Sequence, residues 1–156
     1  MKTGTKKALK VSALLAFITA WLGFVFSNSL KNSEQSANQS ELAEGVFEKF
    51  VRLLGISGSA ETVAEIVVRK AAHVFEFFVL SVLVLLLLSL LFKSTAKVYA
   101  FTALFSVLCA CTDEALQTVS HRGASLKDIF IDSIGIALCL LLYRLWNSRK
   151  NNGQRT

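Results

Sequence analysis

Residues 69–92 read RKAAHVFEFFVLSVLVLLLLSLLF, an apolar run headed by Arg69, Lys70, His73 and Glu76. About 20 mostly apolar residues cross roughly 30 Å of hydrocarbon as a helix, so residues 71–92 are predicted to span a membrane. An ionised group inside hydrocarbon is costly unless it is paired or faces a polar cavity, so His73 and Glu76 mark a place of use. Three further apolar stretches, at 11–30, 98–117 and 127–146, are also long enough to span, and the last two contain Asp113, Glu114 and Asp132. The predicted fold class is all-α: an integral membrane four-helix bundle that takes in residues 1–156 as one domain.

Composition points the same way, because a chain that is 53% hydrophobic and only 18% charged suits a membrane bundle better than a soluble domain. Lys2, Lys6, Lys7 and Lys10 precede the first span. Lys93 and Lys97 bracket the turn between the second and third, and Arg144, Arg149, Lys150 and Arg155 follow the fourth. By the positive-inside rule these segments are cytoplasmic, so both termini are expected inside a bacterial cytoplasmic membrane. The opposite side then holds the 31–68 and 118–126 connections and, with the ends of their flanking helices, all 11 acidic residues. Ten of the 17 basic residues serve as cytoplasmic anchors, and no soluble basic domain remains for DNA or RNA despite the net charge of +6. The expected partners are membrane lipids, whose anionic head groups attract such lysines. Oligomeric state is left open.

The first span, with its basic leader and long apolar stretch from Val11 to Phe26, reads as an uncleaved anchor rather than a signal peptide. Cys109 and Cys111 lie about 200° apart on a helix and cannot pair with each other; with Cys139 they read as small packing residues. Residues 31–41 are a polar loop. Leu42, Val46, Phe50, Leu53 and Leu54 then recur at helical spacing and predict an amphipathic helix, either at the outer interface or packed on the bundle's end. Gly55 and Gly58 end it, and Ser59 is placed to cap the next helix. A helix running from Ala60 to Phe92 would be about 50 Å long, so it is expected to project outward or bend near Arg69. The chain has no proline, which predicts unkinked spans.

At a rise of about 1.5 Å per residue, His73, Asp113 and Asp132 all fall within one or two turns of the outer boundary, with Glu76 slightly deeper. Azimuth agrees with depth: Arg69, His73, Glu76 and Leu80 share one stripe, Asp113 and Gln117 a second with Glu114 beside it, and Asp128, Asp132, Gly135 and Cys139 a third. Gly135 would let another backbone approach closely. Plainer readings stand beside this one. Ser125 and Asp128 fit a capping box, Lys70 and Lys127 can snorkel, His73 and Glu76 can pair internally, and Asp132 can be held by Arg122 or His73. A divalent metal on His73, Glu76, Asp113 and Glu114 is the sharpest chemical alternative, but the only other histidine is His121 and zinc spacing is lacking, so no metal or cofactor is assigned. Ser120 and Ser125 lack a nucleophile motif.

The ordered set RKxxHxxE at Arg69–Glu76, DExxQ at Asp113–Gln117, Arg122-Gly, and DxxxDxxG at Asp128–Gly135 resembles the VanZ-like family of small bacterial membrane proteins. The Phe26-Ser27-Asn-Ser29 exit of the first span fits the same pattern, and the resemblance runs from the first span through the fourth. It implies a link to resistance against the glycopeptide teicoplanin, for which the family is named, without bringing residue roles. The site expected on both grounds is a pocket of Arg69, His73, Glu76, Asp113, Glu114, Gln117, Arg122 and Asp132, supported by Lys70, Asp128 and Gly135. Its expected ligand is the head group of a phospholipid, a lipid-linked cell-wall precursor or a lipoglycopeptide. The competing expectation is a membrane-embedded enzyme on a lipid-linked substrate, with His73 or Glu114 as general base.

Overall fold

The computed structural model describes residues 2–31, 45, 49, 60–119 and 126–152. All regular structure among them is helical: α1 (Lys2–Ser29), α2 (Ala60–Leu91), α3 (Thr95–Val119) and α4 (Leu126–Asn152). Each contains a stretch long and apolar enough to cross a membrane, namely Gly4–Ser29, Ile66–Leu91, Thr95–Val119 and Leu126–Arg149. Helices are the natural solution here, because hydrocarbon offers the backbone no hydrogen-bond partner and a helix satisfies its own.

The helices are longer than the apolar runs that predicted them. α1 starts at Lys2 rather than near residue 11, and α4 runs on to Asn152. With no proline to interrupt it, helical hydrogen bonding continues past the hydrocarbon edge into polar sequence. α2 is the long helix expected, 32 residues with an uninterrupted helical run through Arg69. The turn into α3 is short. Ser94 precedes the helix and its carbonyl accepts the Val98 amide at 3.1 Å, so it is the N-cap. The predicted amphipathic helix at 42–54 lies outside the described residues except for Gly45 and Lys49, which are helical.

α2 is the organising helix and packs against the other three, most extensively against α4, while α1 lies along α2 and α3. Gly135 explains the closeness of the α2–α4 crossing. A methyl group there would overlap the Val74 carbonyl oxygen and come within 2.9 Å of the Phe78 amide nitrogen. The core between the helices is built from Val25, Phe77, Leu80, Val84, Ala110 and Ile136. A second cluster of Leu85, Val98 and Cys139 lies toward the α2–α3 turn. Leu104, Leu108, Phe130 and Leu141 face outward, as expected of a surface that meets lipid. Cys109 and Cys139 are buried packing residues, but Cys111 is exposed. That corrects the expectation for Cys111 and follows from the 200° offset, which turns one of the pair outward when the other faces in.

Candidate functional site

The acidic residues of the spans gather at the end of the bundle away from the α2–α3 turn, and each helix delivers polar side chains there. From α3, Asp113, Glu114 and Gln117 are all buried. Gln117 Nε2 donates to Asp113 Oδ2 at 3.0 Å, an i to i+4 bond along the helix. The other oxygen, Oδ1, accepts from the Ser29 hydroxyl at the end of α1. Ser29 Oγ also lies 3.2 Å from the Val25 carbonyl, but a hydroxyl has one proton, and the carboxylate is the closer acceptor. Asp113 is thereby fixed from two helices.

α1 also reaches α2. Asn28 Nδ2 donates to Glu76 Oε1 at 3.1 Å, and Trp21 Nε1 donates to the Glu76 carbonyl at 3.0 Å. Lys31 Nζ donates to Asn28 Oδ1 at 2.9 Å. An ammonium must meet the amide oxygen, so this contact turns the Asn28 amino group toward Glu76.

Opposite them, α2 and α4 meet through His73 and Asp132. Asp132 is fully buried, and its Oδ1 lies 3.3 Å from His73 Nδ1. The pair is not aligned as a hydrogen bond: neither Asp132 oxygen nor His73 Nδ1 has a hydrogen-bond partner among the described residues. One ligand-capable atom from each of His73, Asp113 and Asp132 lies within 4.8 Å of the others. Glu76, Asp113, Glu114 and Asp132 thus place carboxylates from three helices at one level.

Cations lie at the rim. Lys70 Nζ and Asp128 Oδ1 are 3.1 Å apart in a partly exposed ion pair, so Asp128 faces α2 as well as opening α4. Its capping partner Ser125 is outside the described residues, as are His121 and Arg122. Arg69 is half-buried one turn before His73 and makes no hydrogen bond or ion pair among the described residues.

Of the residues expected from sequence, His73, Glu76, Asp113, Gln117 and Asp132 converge, Glu114 is buried next to Asp113 in α3, Lys70 and Asp128 pair at the edge, and Gly135 sits at the tight crossing just below. The metal set weighed as an alternative from sequence is not the one that groups: Asp132 joins His73 and Asp113, and the Glu76 carboxylate accepts from Asn28. Three contributors were not anticipated as site residues, Trp21, Asn28 and Ser29. The polar exit of α1, Ser27-Asn28-Ser29, was the available signal.

The profile of the VanZ/LLP1 family matches residues 14–147, which includes the second and third spans whole and most of the first and fourth. An uncharacterized membrane protein of Bacillus subtilis (strain 168), YwnJ, is 35% identical over 89 residues, a stretch that spans 57% of this chain and 58% of that protein. No solved structure matches the chain. With a family match over most of its length, four apolar helices and the motif residues gathered at one end, the chain belongs to the VanZ/LLP1 family of multi-pass membrane proteins.

Proposed function

We propose that the acidic end of the bundle opens to the outer leaflet of a bacterial cytoplasmic membrane and binds a polar lipid head group there. Both termini lie in the cytoplasm in this reading, which the distribution of Lys and Arg supports. The head group belongs to a phospholipid or a lipid-linked cell-wall precursor. By occupying or altering access to it, the protein contributes to glycopeptide resistance of the kind for which the family is named.

One observation carries the reading: four helices bring polar side chains to one level, among them three buried carboxylates and a half-buried fourth, Glu76. Apolar packing would hold these helices together at lower cost, since buried charges seldom improve stability over hydrophobic replacements. Within a membrane such groups are characteristic of binding and transport sites. Arg69 suits the task of holding a phosphate or carboxylate, because its guanidinium presents forked donors. The carboxylates and Gln117 would accept and donate hydrogen bonds to sugar or amine groups.

The test is teicoplanin inhibition in a susceptible Gram-positive host that expresses wild type, Glu114→Gln or Arg69→Ala at matched membrane abundance. Protection by wild type that both variants lose supports the proposal. A well-expressed wild type that gives no protection removes the resistance part of it.

A further inference from the structure

We propose that His73, Asp113 and Asp132 form a binding site for one divalent transition-metal cation. The ligand atoms come from α2, α3 and α4 and already lie within 4.8 Å of one another. Two ligands about 2.1 Å from a zinc-sized ion are at most about 4.2 Å apart, so the set must draw in by roughly half an ångström or more to close on an ion.

The second observation is Asp132 itself. It is fully buried, and neither of its oxygens has a hydrogen bond among the described residues. The nearby His73 Nδ1 is in the same condition, 3.3 Å from Oδ1 and misaligned for a direct hydrogen bond. Two lone-pair-bearing atoms at this separation repel unless a positive charge lies between or beside them. A proton on Nδ1 would make this contact an ion pair, but one with no aligned hydrogen bond to either Asp132 oxygen. A metal ion needs only that both lone pairs point at a common centre, and Asp113 supplies the third ligand to it.

The surroundings also fit. Asp113 is oriented by Ser29 and by Gln117 at 3.0 Å, contacts that leave lone pairs on both its oxygens. Such outer hydrogen bonds are how proteins aim metal ligands. One imidazole and two carboxylates favour zinc, manganese, iron or cobalt over magnesium or calcium, which prefer all-oxygen sites. Two carboxylates offset the ion's charge, and three protein ligands leave a coordination position for a water or phosphate oxygen. The site stands on this geometry whether or not the head-group reading holds.

The full chain is purified in detergent, stripped with a chelator and titrated with Co²⁺, with visible absorption as the readout and Zn²⁺ as competitor. The expected result is one equivalent of Co²⁺ bound with ligand-field bands and displaced by Zn²⁺. Binding should be at least about tenfold weaker in His73→Gln and Asp132→Asn and unchanged in Ser106→Ala, whose hydroxyl lies outside the cluster. If Asp132→Asn fails to fold, His73→Gln decides. Folded wild type that binds neither ion, or a folded His73→Gln that binds like wild type, overturns the proposal. Either result is read without reference to lipid or antibiotic, so it is separable from failure of the head-group reading.

Discussion

Near the turn between α2 and α3, Phe92 stacks on Phe101 with ring centroids 5.5 Å apart, Tyr99 tilts against Tyr143, and the Ser89 and Tyr143 hydroxyls meet at 3.3 Å. At the far end the same helices meet through carboxylates, an imidazole and amides. In the first region aromatic packing does the work, with a hydroxyl contact added, and a membrane bundle needs little more. In the second, several donors converge on Asp113 and Glu76 while Asp132 is left without a hydrogen bond among the described residues. A purely structural lock would have satisfied both of its fully buried aspartates, and only Asp113 has hydrogen bonds among the described residues. The mixture of bonded and unbonded buried carboxylates is what a site built around something else looks like.

Substitutions can break this contrast in a graded way. The largest effect is expected at the α2–α4 crossing. Gly135→Leu should prevent assembly, and Gly135→Ala should cost about 1–3 kcal/mol, read as a lowered melting temperature in detergent; an unchanged value would mean the helices are not in close contact. Next is Asp113→Ala, which removes the acceptor of the Ser29 and Gln117 hydrogen bonds and should cost about 1–3 kcal/mol. Asp113→Asn, which keeps one acceptor, should lose less in the same melt. Asn28→Ala removes the α1–α2 bond to Glu76 at a cost of about 1 kcal/mol, and should increase proteolysis or hydrogen exchange at the end of α1 before it affects the rest.

Smaller changes sharpen the comparison. Ser81 and Ser106 share a buried hydrogen bond of 3.0 Å midway along α2 and α3. Hydrogen bonds between membrane helices average about 0.6 kcal/mol, so Ser106→Ala should shift unfolding only slightly and leave any binding at the acidic end intact. The smallest effect belongs to Lys70→Ala, because a partly exposed ion pair contributes about 0.2–1 kcal/mol. A large loss there would move the edge of the site outward to Asp128.

Much of this was legible in the sequence because a membrane makes the apolar runs unmistakable and makes charges within them conspicuous. Depth and helical phase brought His73, Glu76, Asp113, Glu114, Gln117 and Asp132 to one level, and Gly135 to the crossing, before any packing was known. The role of α1 was harder to see. Asn28 and Ser29 are small, neutral and near a helix end, where polar residues are ordinary, and only the packing of α1 along α2 and α3 sets them against Glu76 and Asp113. Pairing of Asp132 with His73 was among the readings open from sequence, but their grouping with Asp113, rather than with Glu76 and Glu114, was hidden, since which carboxylates face one another depends on helix rotation to within tens of degrees. Cys111 shows the same limit, since spacing separated it from Cys109 but did not say which of the two would face lipid.

The central claim is that the acidic end holds a ligand and is more than a lock between helices. Arg69 offers the most direct test, because it makes no hydrogen bond or ion pair among the described residues and its removal should cost the fold little. Native mass spectrometry of wild type and Arg69→Ala, each purified from a Gram-positive host, would measure the phosphate-bearing lipid each retains. The account predicts that wild type keeps such a lipid and that Arg69→Ala, at a matching melting temperature, retains at least about tenfold less, a difference of about 1.4 kcal/mol in binding. Equal retention by the two folded proteins would contradict it.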